Sequence, residues 1–139
     1  MRLWHKVLIS ALPREQLVAQ WRELSSIAGN IINKGTPNHI LVNRIMDYSF
    51  DHFISYALMI RKEMTNRGYH TMDKVWNKIT SVCNNDYKIL PLDAIYSEWM
   101  DSIYLDICYY NLLEKHICGG VNQNDWEKIA EARRIFSEE

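Results

Sequence analysis

The sequence is poor in cysteine, proline and glycine, with 3 Cys, 3 Pro and 5 Gly in 139 residues. Cys83, Cys108 and Cys118 form no C-x-x-C pair and are odd in number, which argues against a disulfide framework and a zinc site. The histidines show no ligand spacing with one another or with the cysteines. We therefore expect no metal and no cofactor, so that any chemistry comes from the chain's own groups.

Long apolar runs are also missing. No stretch approaches the roughly 20 residues that a membrane-spanning helix requires, so we expect no membrane partner. The opening residues 1–6 lack the apolar core of a signal peptide. Together with the sparse cysteine, this predicts a protein of the cytoplasm, where thiols stay reduced.

Charge is nearly balanced overall but uneven along the chain. Residues 1–70 hold nine Lys and Arg against five Asp and Glu, whereas residues 71–139 hold seven against twelve. A basic N-terminal half is suited to a polyanion, and the acidic half is expected to face away from it.

The spacing of apolar residues predicts helices and no strand. Apolar side chains recur at three- and four-residue steps, separated by segments rich in Gly, Pro or Asn. The stripes predicted to be buried include Leu17 and Leu24 in the first helix, Met46 in the second, and Ile95, Trp99, Ile103, Ile107 and Tyr110 in the long helix near the C-terminus. The predicted helices span about 13–33, 38–67 with a loop allowed at its start, 71–83, 93–117 and 124–137. A chain of this length forms one domain. The expected fold is an all-α, compact, single-domain bundle of about five helices covering residues 1–139.

The N-terminus carries the main chemical hypothesis. Initiator methionine is normally removed only before a small residue, so Arg2 predicts that Met1 is retained and supplies the terminal α-amino group. Such a group ordinarily has a pKa of about 7.7–8.0, against about 10.4 for lysine, so part of it is unprotonated near neutral pH. An amine of this kind can attack an aldehyde or a sugar C1′ and form a Schiff base.

Glu23 is the candidate partner of that amine. Positions 16, 19, 20, 23, 26 and 30 share a polar strip beside the apolar stripe of the first helix. If the N-terminal segment folds back over this strip, Glu23 can transfer protons and stabilise a positively charged imine. Arg22, beside the strip, can hold a phosphate by a bidentate hydrogen bond. The alternative is an ordinary solvated helix face and an inert chain end.

Residues 10–24 read SALPREQLVAQWREL, a frame of Ser-x-Leu-x-x-x-x-Leu-x-Ala-x-aromatic-Arg-Glu-Leu. This frame resembles the opening helix of the pyrimidine-dimer DNA glycosylases, the phage endonuclease V family. The start MRLWH resembles that of bacterial members, and Arg67-Gly68-Tyr69 resembles a basic-Gly-aromatic turn of the family. The resemblance covers about residues 1–70, the expected catalytic half, and leaves residues 71–139 as a divergent acidic helical half.

The resemblance implies an endonuclease V-like helical fold that acts on damaged double-stranded DNA without a metal. The implied activity is that of a DNA repair glycosylase and abasic-site lyase acting on pyrimidine dimers or a related lesion. The Met1 amine would attack C1′ of the damaged nucleotide, and β-elimination would cut the strand. Glu23 would be the catalytic carboxylate, Arg22 would bind phosphate or the lesion, and Arg2 would contact the DNA backbone.

Four further positions are candidates for contact with DNA or the lesion. Gln16 and Ser26 stand where the phage enzyme has a His and a second active-site Arg. The resemblance therefore does not determine which DNA lesion is the substrate. Trp4 can stack on a base, and His5 can contact phosphate or transfer a proton, with a plain surface role as its alternative. Residues 121–139 are acidic where the phage enzyme has a basic aromatic tail.

Two other functions stay open at this point. The chain can be a non-catalytic helical module that binds DNA or protein and retains only the fold, with its acidic half as an interaction surface. It can also be an enzyme that uses the same amine on another aldehyde or sugar. Nothing in the sequence supports a particular oligomeric state.

Overall fold

The computed structural model describes residues 1–138, and all regular structure in that range is helical. Five α-helices are present: α1 (Arg14–Lys34), α2 (Phe50–Asn66), α3 (Asp73–Thr80), α4 (Ser102–Ile117) and α5 (Gln123–Glu138). Shorter 3₁₀ helices lie at Lys6–Ala11, Asn43–Asp47, Ser81–Cys83 and Leu92–Ala94. The predicted all-α bundle is confirmed. None of the described helices is long and apolar enough to cross a membrane.

Helix α1 begins and ends within one residue of its predicted bounds. Pro13 precedes its first turn, where a missing N–H costs nothing. Gly35 ends it with a φ of 76°, and its N–H donates to the Ile31 carbonyl at 2.9 Å. Leu17 and Leu24 are fully buried, so the predicted stripe faces the core.

The predicted second helix is interrupted. A 3₁₀ helix ends at Asp47, Tyr48 is extended, and α2 begins at Phe50 after Ser49. Met46 was expected on the buried stripe and is instead exposed. That prediction is wrong because the residues before Tyr48 do not share the helical register of α2.

Helix α4 begins later than predicted, and three residues of its predicted stripe, Ile103, Ile107 and Tyr110, are exposed, whereas Ile95 and Trp99 are buried. Tyr96 adopts a φ of 49° in the preceding turn, which ends any helical register carried from residue 93. Asp101 then caps the new helix by accepting the Tyr104 N–H at 2.9 Å. As a result Ile103 is 69% exposed, whereas Tyr104 and Cys108 lie in the core.

The N-terminal segment packs between two groups of helices. Helix α1 packs on α2 and α3, α4 packs on α5, and the 3₁₀ helix Lys6–Ala11 contacts both α2 and α5. The Tyr56 hydroxyl of α2 donates to the Trp4 carbonyl at 2.5 Å, and the Tyr104 hydroxyl of α4 donates to the Leu3 carbonyl. The first residues of the chain therefore form part of the core rather than a free tail.

Arg67 fixes this segment from the C-terminal end of α2. Its guanidinium donates to the Leu12 carbonyl at 2.7 Å and the Ile9 carbonyl at 3.3 Å, and it pairs with Glu63 at 2.8 Å. Gly68 follows with a φ of 83°, which favours glycine. The Arg-Gly-aromatic turn thus anchors the end of the N-terminal 3₁₀ helix.

Candidate active site

Gln20 on α1 holds the chain end in place. Its side chain is fully buried, and its Oε1 accepts the Trp4 N–H at 2.8 Å and the Tyr56 hydroxyl at 3.0 Å. Its Nε2 donates to the Arg2 carbonyl at 2.9 Å and to Glu23 Oε2 at 3.2 Å. The N-terminal segment therefore does fold back over the polar strip of α1, as the hypothesis for Glu23 requires.

Glu23 is half-buried, and its environment raises the pKa of its carboxyl above the ordinary value of 4.5. Burial is the largest cause, since it disfavours the charged form. The Met1 ammonium, the His39 imidazole, and the N–H and guanidinium of Arg2 oppose this shift, in that order, without outweighing it. Glu23 is thus a partly desolvated carboxyl among positively charged groups.

The Met1 amine is close enough to Glu23 to act on the pKa of its carboxyl, but the two do not pair. Met1 is 40% exposed. Among the ion pairs within residues 1–138, none joins its amine to Glu23. An amine that is not tied in an ion pair remains accessible to an incoming substrate atom.

Two guanidinium groups lie near this chain end. Arg2 is half-buried, with its guanidinium carbon 5.8 Å from the Trp4 ring centroid and in contact with the Cys108 thiol. Arg44, from the 3₁₀ helix Asn43–Asp47, lies 5.1 Å from the Trp99 ring centroid. Both lower the pKa of the Tyr104 hydroxyl, although its burial raises that pKa more strongly. Arg2 and Arg44 therefore bring positive charge to the same part of the molecule.

His39 is a residue that sequence reasoning missed. It is half-buried in the turn after α1, where its Nδ1 accepts the Leu41 N–H at 3.3 Å and its own N–H donates to Asn43 Oδ1 at 3.0 Å. This hydrogen bond belongs to the neutral ring, which carries its proton on Nε2, whereas the protonated ring is the form that lowers the pKa of Glu23. Asn30 ties this turn to α1 by donating to the Pro37 carbonyl at 2.9 Å. No spacing along the chain links His39 to Glu23; the fold brings them together.

The remaining predicted residues of α1 make no hydrogen bond or ion pair to Met1 or Glu23 within residues 1–138. Arg22 is exposed and lines a shallow depression of about 220 Å³ with Arg14, and it makes no hydrogen bond or ion pair to the site among the described residues. Ser26 is exposed one turn further along. Gln16 is half-buried, and its Oε1 has no hydrogen-bond partner within residues 1–138.

The structure corrects the expectations for Trp4 and His5, since neither presents its ring to solvent. Trp4 is 7% exposed, and its backbone is bound to Gln20 and Tyr56. His5 is fully buried; its Nε2 hydrogen-bonds the Met100 carbonyl at 2.7 Å, and its Nδ1 accepts the Val7 N–H at 3.1 Å. Both rings are buried because the N-terminal segment is part of the core.

The arrangement brings a terminal amine near a partly desolvated carboxyl. An unprotonated amine is a nucleophile, and such a carboxyl is suited to proton transfer. No group of three or more His, Cys, Asp and Glu side chains within residues 1–138 is arranged to hold a metal ion.

Comparison with known protein families matches residues 1–77 to the family described as pyrimidine dimer DNA glycosylase. The matched region is more than half of the 139 residues and includes Met1, Glu23 and His39. The chain therefore belongs to the pyrimidine dimer DNA glycosylase family, a family of DNA repair glycosylases. Comparisons with curated proteins and with solved structures gave no match.

Proposed function

We propose that this protein is a DNA glycosylase with abasic-site lyase activity that acts through a Schiff base on its N-terminal α-amine. The observation that carries the proposal is the placement of the chain end by Gln20, which brings the Met1 amine into electrostatic range of Glu23. The proposal includes that Met1 is the terminal residue of the mature protein.

The first half of the reaction removes the damaged base. The unprotonated amine attacks C1′ of the damaged nucleotide, and the C1′–N glycosidic bond breaks with its electron pair leaving on the base. The attached nitrogen loses one proton to ionised Glu23, and the departed base takes up a proton from water. The C1′–O4′ bond then breaks with its electron pair on O4′, which takes the proton back from Glu23, so that a protonated imine forms at C1′. Glu23, ionised again, stabilises the positive imine.

The second half cuts the strand. A C2′ proton is removed, which converts the imine to an enamine. The enamine electrons then form a C2′=C3′ double bond while the bond from C3′ to the 3′ phosphate oxygen breaks, with its electron pair leaving on the phosphate. Water then hydrolyses the imine and frees the amine. Because a carboxyl with a raised pKa is a stronger base than an ordinary one, Glu23 is suited to accept that proton.

The surrounding positive charge fits a DNA strand. Arg2 and Arg44 are the side chains proposed to contact phosphates beside the reacting sugar. Arg22, Ser26 and Gln16 are proposed to contact DNA along α1, the last through its unpaired Oε1. The proposed substrate is duplex DNA that carries a pyrimidine dimer or a related lesion.

The test uses two substrates, duplex DNA with one abasic site and ultraviolet-irradiated duplex DNA. With borohydride present, wild-type protein should form a covalent adduct on the abasic substrate; without borohydride, it should incise both substrates. Glu23→Gln should slow adduct formation by at least about a hundredfold, within the range of a lost general acid–base group. Glu15→Gln is the matched control, since Glu15 is an exposed carboxyl of the same helix.

Two outcomes would count against parts of this proposal. An absence of adduct with wild-type protein, whose intact mass shows a free Met1, would remove the lyase mechanism. Activity on abasic DNA with none on irradiated DNA would keep the amine chemistry and reject the dimer as substrate.

A second candidate function is a non-catalytic helical module. It is favoured by an apolar stripe on α4, where Ile103, Ile107 and Tyr110 are all exposed at helical spacing. This candidate predicts DNA or protein binding without any borohydride adduct. The same trapping experiment therefore separates the two functions.

A further inference from the structure

The turn after α1 exposes two large apolar side chains at its tip. Ile40 is 85% exposed, the highest value for any large apolar residue within residues 1–138, and Leu41 is 46% exposed. Turn tips usually carry Gly, Asn, Asp, Ser or Pro, which hydrogen-bond or adopt the backbone conformations that turns need. Isoleucine and leucine meet neither need, so local backbone structure does not explain this pair.

The turn is held firmly in spite of its exposure. The N–H groups of Val42 and Asn43 donate to the His39 carbonyl at 3.0 and 2.9 Å. Val42 and Ile45 are fully buried and anchor the far side of the turn in the core. The exposed pair is thus presented at a fixed position.

That position adjoins the candidate active site. Asn30, on the polar strip of α1 that carries Glu23, donates to the Pro37 carbonyl at 2.9 Å and so ties this turn to the helix. His39, directly before Ile40, acts on the pKa of Glu23, and Arg44 follows three residues after Leu41. The apolar tip therefore lies between His39 and Arg44, beside the polar strip of α1 that carries Glu23. Positive charge suits phosphates, and an exposed apolar side chain suits the stacked interior of a duplex.

We propose that Ile40, with Leu41 behind it, is a wedge that enters the base stack of duplex DNA next to the damaged nucleotide. This inference rests on the proposed function, since it specifies how that site reaches a sugar in a duplex. The C1′ atom of a stacked nucleotide is out of reach of an enzymatic amine, and separating one base step exposes it. The wedge occupies the gap and keeps the nucleotide outside the stack.

The experiment compares the double variant Ile40→Ser/Leu41→Ser with the control Ile103→Ser. Ile103 is also largely exposed, so the control makes the same Ile-to-Ser change on α4, outside the turn. Each protein is trapped with borohydride on one abasic oligonucleotide, both single-stranded and in duplex. A 2-aminopurine beside the abasic site reports unstacking through its fluorescence.

We expect the double variant to lower the ratio of duplex to single-strand trapping by at least about tenfold, because the cost of separating a base step is no longer offset. Wild type and Ile103→Ser should raise the 2-aminopurine fluorescence on binding, and the double variant should not. An unchanged ratio, or an unchanged fluorescence rise in the double variant, would overturn the wedge. The single variant Ile40→Ser repeats the test should the double variant melt at a lower temperature than wild type.

Failure of the proposed function gives a different result. If wild-type protein forms no adduct on either form of the oligonucleotide, the amine chemistry is rejected. The fluorescence comparison then still decides on the wedge, since unstacking needs only binding. A wild-type complex that leaves 2-aminopurine stacked would overturn the wedge alone.

Discussion

Replacing Gln20 by alanine should loosen the candidate active site and destabilise the fold together. Gln20 is fully buried, and its amide bonds the Trp4 N–H, the Arg2 carbonyl, Tyr56 and Glu23. Without it, two backbone groups of the N-terminal segment lose their partners. The Tyr56 hydroxyl keeps its bond to the Trp4 carbonyl, so that contact does not add to the loss.

The magnitude follows from those two backbone groups. A buried polar group left unsatisfied costs about 1–3 kcal/mol, and the Arg2 carbonyl is only partly buried. We therefore expect Gln20→Ala to lower the free energy of unfolding by about 2–4 kcal/mol, which includes the void left by the side chain. For a chain of this size that corresponds to a Tm lower by roughly 10 °C.

The assay combines thermal unfolding with borohydride trapping at a temperature where the variant is folded. A chain end that is no longer held should slow trapping by at least about tenfold per folded molecule, since small misplacements of a reacting group are costly. Gln16→Ala is the matched control for stability. It removes the same side chain one turn earlier, where Oε1 has no partner, so its cost should stay below about 1 kcal/mol. Equal destabilisation by the two variants would refute this reasoning, as would a destabilised Gln20 variant with an unchanged trapping rate.

Three further predictions concern the titrating groups. Because burial raises the pKa of Glu23 and its ionised form is needed, activity should fall as pH drops through a value above 4.5. The same burial makes ionisation of Glu23 cost stability, so Glu23→Gln should raise the Tm at pH 7 while slowing adduct formation by at least about a hundredfold. His39→Gln removes a positive neighbour that lowers the pKa of Glu23, so the acid limb of the pH–rate profile should move to higher pH, whereas His70→Gln, at an exposed residue, should leave it in place. Burial lowers the pKa of His5 below its ordinary value of 6.5, so the folded state holds it neutral and stability should be lost as pH falls below 6.5. In urea unfolding, the stability advantage of wild type over His5→Asn should therefore shrink between pH 7 and pH 5, and a constant difference would contradict this assignment.

Local signals were enough to predict α1 and its apolar stripe. Pro13 before the first turn, Gly35 after the last and a regular apolar spacing all act within the helix itself. The same helix placed Glu23 on a polar strip beside the core, which is where the structure has it. The catalytic roles of Met1 and Glu23 stay predictions, because proximity does not establish reactivity.

The roles of Gln20 and His39 and the register of α4 depend on contacts between distant parts of the chain, which local sequence patterns do not show. In the sequence, Gln20 is one polar residue among several on the strip. Its burial could not be predicted, because Gln20 is buried by the N-terminal segment, whose Trp4 N–H and Arg2 carbonyl it binds. His39 lies sixteen positions after Glu23 and reaches it through the turn that follows α1. The register of α4 could not be predicted because a turn at Tyr96 resets it, and that turn is held by the Tyr96 N–H donating to His52 Nδ1 at 3.0 Å.

The identity of the reacting amine is the central claim, and mapping the trapped adduct tests it most directly. Lys6 is the competing nucleophile, because burial lowers the pKa of its ammonium group. Its Nζ is, however, already bound to the carbonyls of Leu92 at 2.9 Å and Ile95 at 2.7 Å. After borohydride trapping on abasic DNA and proteolysis, mass spectrometry should place the sugar remnant on the α-amino group of Met1. A remnant on the side chain of Lys6 or of any other lysine would contradict the account.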